Sequence, residues 1–182
     1  MTVPTMRCYQ ALGVCVGLML GLSACSNTVS VEASRTVSTP FENRQITPPV
    51  FDEARQKRGN GESLPLFELA MTSYSKKEYG KASVLLREAS MKSPDSPEAR
   101  FFLGICYLMT NDTDAAIGEL KTASALGKSD YQEDALYFLG EAYARKKDAI
   151  NASRELDRVI AMNGNNAGRA RTLREIVNIS AH

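Results

Sequence analysis

From Leu66 to Ile179 apolar residues recur at helical spacing, in pairs of segments divided by short polar turns. Three stretches align. The first runs through Leu66, Ala70, Tyr74, Tyr79, Ala82, Leu86 and Ala89 to Pro94. The second runs through Phe101, Leu103, Gly104, Tyr107, Ala116, Leu120 and Ala123. The third runs through Leu136, Leu139, Gly140, Tyr143, Ala152, Leu156 and Val159. An alanine recurs at 82, 116 and 152, and Leu-Gly-x-x-Tyr occurs at 103–107 and again at 139–143. The pattern predicts an all-α domain of three helical hairpins. Each hairpin alone leaves an apolar face exposed, so neighbours must stack to make a core.

Local signals mark the helix ends. Ser96-Pro97 reads as an N-cap followed by proline at the first helical position, with Glu98 at the positive helix end. Gly127 sits where a helix should stop, and Asp148 is placed to cap the helix that follows it. Beyond Gly164-Asn165-Asn166, residues Ala170, Leu173, Ile176 and Val177 predict a final amphipathic helix over 166–180. Arg169, Arg171 and Arg174 lie between them, on a solvated face or against an anion.

The alternation of small and large residues resembles the tetratricopeptide repeat, a 34-residue helix–turn–helix unit. The resemblance covers about 64–164, in units near 64–95, 97–128 and 131–164. It implies a right-handed α-solenoid of about three repeats plus a C-terminal capping helix. The first unit departs from the pattern: it lacks Leu-Gly, and Tyr74 to Ala82 is one residue short. In such arrays the first helix of each unit lines a concave groove. The resemblance assigns to it Glu68, Thr72 and Lys76, then Phe101, Ile105, Leu108 and Met109, then Tyr137, Glu141 and Arg145. The middle of that groove is apolar and its ends are charged, which suits a hydrophobic helix or an extended peptide. The tether, the cap helix or a second copy could equally cover the patch.

The first 24 residues have another character. They hold one charge, Arg7, and an apolar run from Ala11 to Leu22. Such a helix would be about 18 Å long, too short for a hydrocarbon core of about 30 Å. The layout predicts an export signal. Its end, Leu22-Ser23-Ala24-Cys25, resembles the lipobox of bacterial lipoproteins. The resemblance implies cleavage after residue 24 and acylation of Cys25, which would hold the chain to a membrane. Ser26 rather than Asp follows the cysteine, which implies the periplasmic face of the outer membrane in a Gram-negative organism. In any other organism it implies the outer face of the cell membrane. Cys8 and Cys15 leave with the signal, so Cys106 remains the one free thiol of the mature domain.

Residues 25–63 are polar, rich in Ser and Thr, and broken by Pro40, Pro48 and Pro49. No period persists, and the segment reads as the lipidated cysteine followed by a disordered tether. Docking of Pro48-Pro49-Val50-Phe51 on the domain or on a partner is the alternative.

Charge narrows the function. The net charge is +1, and loss of Arg7 with the signal leaves basic and acidic side chains in balance. That argues against nucleic acid as a partner. The single histidine, His182, is terminal, and no metal-ligand spacing, P-loop or nucleophile elbow occurs. Glu133 and Asp134 are adjacent, so on a helix they point about 100° apart and read as solvated. Cys106, between Ile105 and Tyr107, reads as a buried and inert thiol. The sequence therefore predicts no enzyme, no metal, no cofactor and no small-molecule substrate. It predicts a membrane-anchored scaffold that positions proteins of an envelope machine (pilus, secretion or outer-membrane machinery). The alternative is a regulatory module that binds a peptidoglycan enzyme or another periplasmic partner.

Overall fold

The computed structural model describes residues 44–52, 65–127 and 129–180. These belong to the compact unit Val37–His182. The signal segment, Cys25, the tether apart from 44–52, and His182 lie outside the described residues.

Among the described residues seven helices follow in order: α1 (Pro65–Ser75), α2 (Tyr79–Lys92), α3 (Pro97–Met109), α4 (Thr113–Leu126), α5 (Gln132–Arg145), α6 (Ala149–Met162) and α7 (Ala167–Ser180). Each packs on the next, making three antiparallel hairpins and a capping helix. Further packing joins α3 to α5 and α5 to α7, so the first helices form the inner layer of the stack. This is the all-α stack that the periodicity predicts, in the solenoid form that the resemblance implies.

The turn inside each hairpin is built the same way. Lys77, Asn111 and Lys147 adopt left-handed backbone, with φ of 62°, 62° and 59°. The next amide in each turn reaches back five residues, Glu78 to Ser73 O, Asp112 to Tyr107 O and Asp148 to Tyr143 O. The left-handed residue itself donates three residues back, which completes a Schellman-type stop. These turns fix the register of the repeats. Ser73, not Tyr74, stands at the position of Tyr107 and Tyr143. The first repeat is therefore not short, and Leu69-Ala70 takes the place of Leu103-Gly104 and Leu139-Gly140. Phe67 and Met71, rather than Glu68 and Thr72, correspond to Phe101 and Ile105. The residue types misled the alignment because two tyrosines, Tyr74 and Tyr79, flank a turn whose hydrogen bonds are set by backbone.

The caps form as the residues suggest. Ser96 Oγ accepts from the Ala99 amide at 3.3 Å with Pro97 at the first helical position. Asp112 and Asp148 carboxylates accept from the Ala115 and Asn151 amides at 3.2 and 3.1 Å. Gly127 follows α4 with φ of 57°. Small residues set the distance within hairpins. Gly104 faces Leu120 and Ala116, and Gly140 faces Leu156 and Ala152.

The cap helix is held by groups the sequence reads as solvated. Glu133, in the first turn of α5, accepts from the Asn165 and Asn166 amides at 3.2 and 2.6 Å. Asp134 accepts from Asn166 Nδ2 at 2.6 Å. The carboxylates thus sit at the positive N-terminus of α7 and satisfy donors that no turn of helix can satisfy. The neighbour they serve is more than thirty residues away, so spacing along the chain does not disclose it. Arg174 pairs with Asp157 at 3.1 Å, while Arg171 is exposed.

Candidate functional site

The inner layer presents one face of α1, α3 and α5. Residues 44–52 lie on it without helix or turn. Exposure alternates along the segment: Arg44 is half-buried, Gln45 exposed, Ile46 buried and Thr47 exposed, as an extended chain requires when one side faces protein. The sequence places the segment in a tether, with docking of Pro48-Pro49-Val50-Phe51 on the domain as the alternative. Its seat has identifiable physical causes.

Two of its ends are anchored on different repeats. At the third repeat, Arg44 Nε donates to Glu141 Oε1 at 3.3 Å and Arg44 Nη2 donates to the Tyr137 hydroxyl at 3.2 Å. Arg145 Nη2 donates in turn to the Arg44 carbonyl at 3.2 Å. At the first repeat, the Tyr74 hydroxyl donates to the Pro49 carbonyl at 2.8 Å. The Phe51 ring sits edge-on to Phe67 and Phe102, with centroids 6.0 and 5.7 Å away. Between the anchors, Ile46 enters the apolar core. The chain thus crosses from α5 to α1, opposite to the order of the repeats. Each edge-to-face ring contact contributes about 0.5–1.5 kcal/mol beyond the area it buries. Pro48 and Pro49 bring no amide donors to satisfy and fix φ, which lowers the entropy lost on docking.

Electrostatics at the Arg44 end follow from burial. The Glu141 side chain is 3% exposed. Burial pushes its carboxyl above the ordinary range, while Arg44, Arg145 and Arg169 pull it down more weakly. A cation on Glu141 is therefore needed at neutral pH to offset the cost of a buried carboxylate. Burial likewise pushes the Tyr137 hydroxyl up, and Arg169 lies over its ring at 4.3 Å. Burial raises the Tyr74 hydroxyl as well, so it stays a proton donor.

The assigned groove residues divide into three groups. Tyr137, Glu141 and Arg145 meet the seated segment directly. Phe101, Ile105 and Leu108 are buried and Met109 packs against the core. Phe101 stacks on Tyr131 at 5.2 Å and 26° and meets Phe102 and Phe138, so its ring belongs to the interior between α3 and α5. Glu68, Thr72 and Lys76 are exposed, and the Thr72 hydroxyl donates to the Glu68 carbonyl at 3.1 Å. Sequence reasoning missed Phe67, Phe102, Arg44 and Ile46, placed Tyr74 in the repeat core, and named Phe51 only through the alternative that Pro48-Pro49-Val50-Phe51 docks on the domain. The one available signal was the apolar content of Pro48-Pro49-Val50-Phe51. Cys106 is buried, and burial pushes its thiol up to about 12. Among the described residues, no group of three or more His, Cys, Asp or Glu side chains could hold a metal ion. No helix among them is long and apolar enough to cross a membrane.

Comparison with known proteins agrees with this fold. Residues 74–133 match the tetratricopeptide repeat family model. This is a tetratricopeptide-like helical array. Solved structures of the Yersinia enterocolitica type III secretion translocator chaperone SycD share the fold. One is 16% identical, with a TM-score of 0.58 over 63% of this chain and 81% of that one. SycD in complex with a peptide of the translocator YopD is 15% identical, with a TM-score of 0.58 over 64% of this chain and 92% of that one. An alternative dimer of SycD is 14% identical, with a TM-score of 0.56 over 71% and 96%. The comparison with curated proteins finds no match.

Proposed function

We propose that this chain is a lipid-anchored binding module that takes an extended segment of another envelope protein on the inner face of α1, α3 and α5, and so regulates a periplasmic partner. The observation that carries it is the seat of residues 44–52: this face holds nine residues of extended chain through an ion pair to a buried carboxylate, a backbone hydrogen bond and an aromatic slot. An array that can cover its own groove suits a regulated binder better than a permanently open assembly scaffold. The likeness to SycD, whose structure with a YopD peptide is known, supports the same reading. In this reading residues 1–24 are removed and Cys25 carries lipid at the periplasmic face of the outer membrane. Residues 26–63 tether the repeats of 64–164 and the cap of 166–180. The module performs no catalysis and needs no cofactor, metal or nucleic acid.

Two measurements test it. A photo-crosslinking residue at Arg145 of the full chain in its host should join the face to one protein through a linear peptide, identified by mass spectrometry. Crosslinks that reach only residues 44–52 of the chain itself, under every growth condition, would refute the binding role. Metabolic labelling with an alkynyl fatty acid should mark the wild-type chain and not Cys25→Ser. Equal labelling of both would refute the anchor.

A further inference from the structure

Residues 44–51 place three side chains on the protein: a cation at 44, an aliphatic group at 46 and an aromatic ring at 51. Each meets a site built for its chemistry. The cation lies between a buried carboxylate and a phenol hydroxyl, Glu141 and Tyr137. The ring lies edge-on to two phenylalanines, Phe67 and Phe102. Between them the Tyr74 hydroxyl accepts no ligand side chain but donates to a main-chain carbonyl, which sets the register of any chain laid there. The intervening positions 45, 47 and 50 point to solvent and carry no selection.

We propose that the groove selects an extended segment with a basic residue, an aliphatic residue two positions later and an aromatic residue five beyond that, and that residues 44–52 are the resident competitor such a partner displaces. The proposal rests on the peptide-binding reading above and names the partner's chemistry. Only twelve residues, 53–64, join the seated segment to α1. A segment on so short a connection competes at an effective concentration on the order of millimolar. A partner with the same three groups must therefore bind more tightly than the resident one, or arrive when the resident segment is held elsewhere.

The probe is a fluorescein-labelled peptide of residues 42–54 of this sequence, titrated by anisotropy into the full chain in detergent. In Arg44→Glu/Phe51→Ser, whose own segment is disabled, the probe should bind at least about tenfold more tightly than in wild type, as removal of a local competitor requires. Probes with Glu in place of the arginine, or Ala in place of the phenylalanine, should lose at least about tenfold, the scale of one charge-assisted hydrogen bond or buried ring. The Glu-bearing probe should recover on a chain that also carries Glu141→Arg. Should circular dichroism show that chain unfolded, Tyr137→Phe replaces it. It should weaken the parent probe and shrink the difference between the Arg and Glu probes.

Equal probe affinity in wild type and the disabled chain overturns the competitor. Equal affinity of parent and altered probes overturns the register. A wild-type dimer in sedimentation that Arg44→Glu/Phe51→Ser dissolves shows that the segment docks between copies, and also overturns the intrachain competitor. A partner recovered by crosslinking while the probe shows no register leaves the binding role standing and sinks this inference. A probe that binds in register while no partner is recovered does the reverse.

Discussion

The side chain of Leu120 fills the place where a Cβ on Gly104 would lie: a carbon built there would be 2.6 Å from Leu120 Cγ. Gly140 and Leu156 repeat the relationship at 2.8 Å. The glycine is required by close approach of α3 to α4, not by backbone conformation. Gly104→Ala should overpack the hairpin and cost about 1–3 kcal/mol. Leu120→Ala alone should cost about 2–5 kcal/mol. In the double variant the added and deleted carbons share one space, so the two losses should not add. Urea unfolding of the four chains measures the coupling; strict additivity would show that the two residues do not share that space.

Glu133 links the first turn of α5 to the start of α7. Glu133→Ala should leave two amides at the helix start without their carboxylate, a loss of about 1–3 kcal/mol confined to the cap. Hydrogen exchange of residues 165–170 should accelerate while α1 to α4 keep their protection. Unchanged exchange at 165 and 166 would mean that water serves those amides as well.

Hydrogen bonds from Asn151 hold the Asp148 carboxyl below the ordinary carboxylate range. Its pKa is lowered in the folded state, so the folded chain binds fewer protons than the unfolded one in the window between the two values. Stability from this cap is therefore complete above the unfolded pKa, near 3.9 for aspartate, and is lost as pH falls through the folded value. At pH 7, Asp148→Ala should cost about 0.5–2 kcal/mol. Below the folded pKa, variant and wild type should converge. A difference that persists undiminished in strong acid would assign the effect to helix propensity instead.

Burial raises the Cys106 thiol to about 12. At pH 8 the thiolate is then about one part in ten thousand, and the sulfur is also enclosed. Alkylation of the Cys106 peptide in folded protein should be slower than in denaturant by about three orders of magnitude. Rates of the same order in both would place the thiol at an open surface.

Much of this fold is legible because it is local. Period 3.6 reports the helices, Ser96-Pro97 and Asp148 report their starts, and the recurrence of Ala82, Ala116 and Ala152 reports the stacking of like units. The helix and cap signals depend on residues within one or two turns of each other, and the alanine signal is a simple repetition along the chain. The tertiary structure decided three other things. Backbone hydrogen bonds at Lys77, Asn111 and Lys147 set the register of the first repeat, where residue types pointed one position away. Folding brought Glu133 to α7, across more than thirty residues. It also seated Arg44 on Glu141, ninety-seven residues along the chain, although Arg44 lies in a polar segment with no period. A contact of that kind leaves no spacing to read. It exists only because the stacked first helices gather a buried carboxylate and two phenylalanines onto one face, and a chain with matching groups lies within reach.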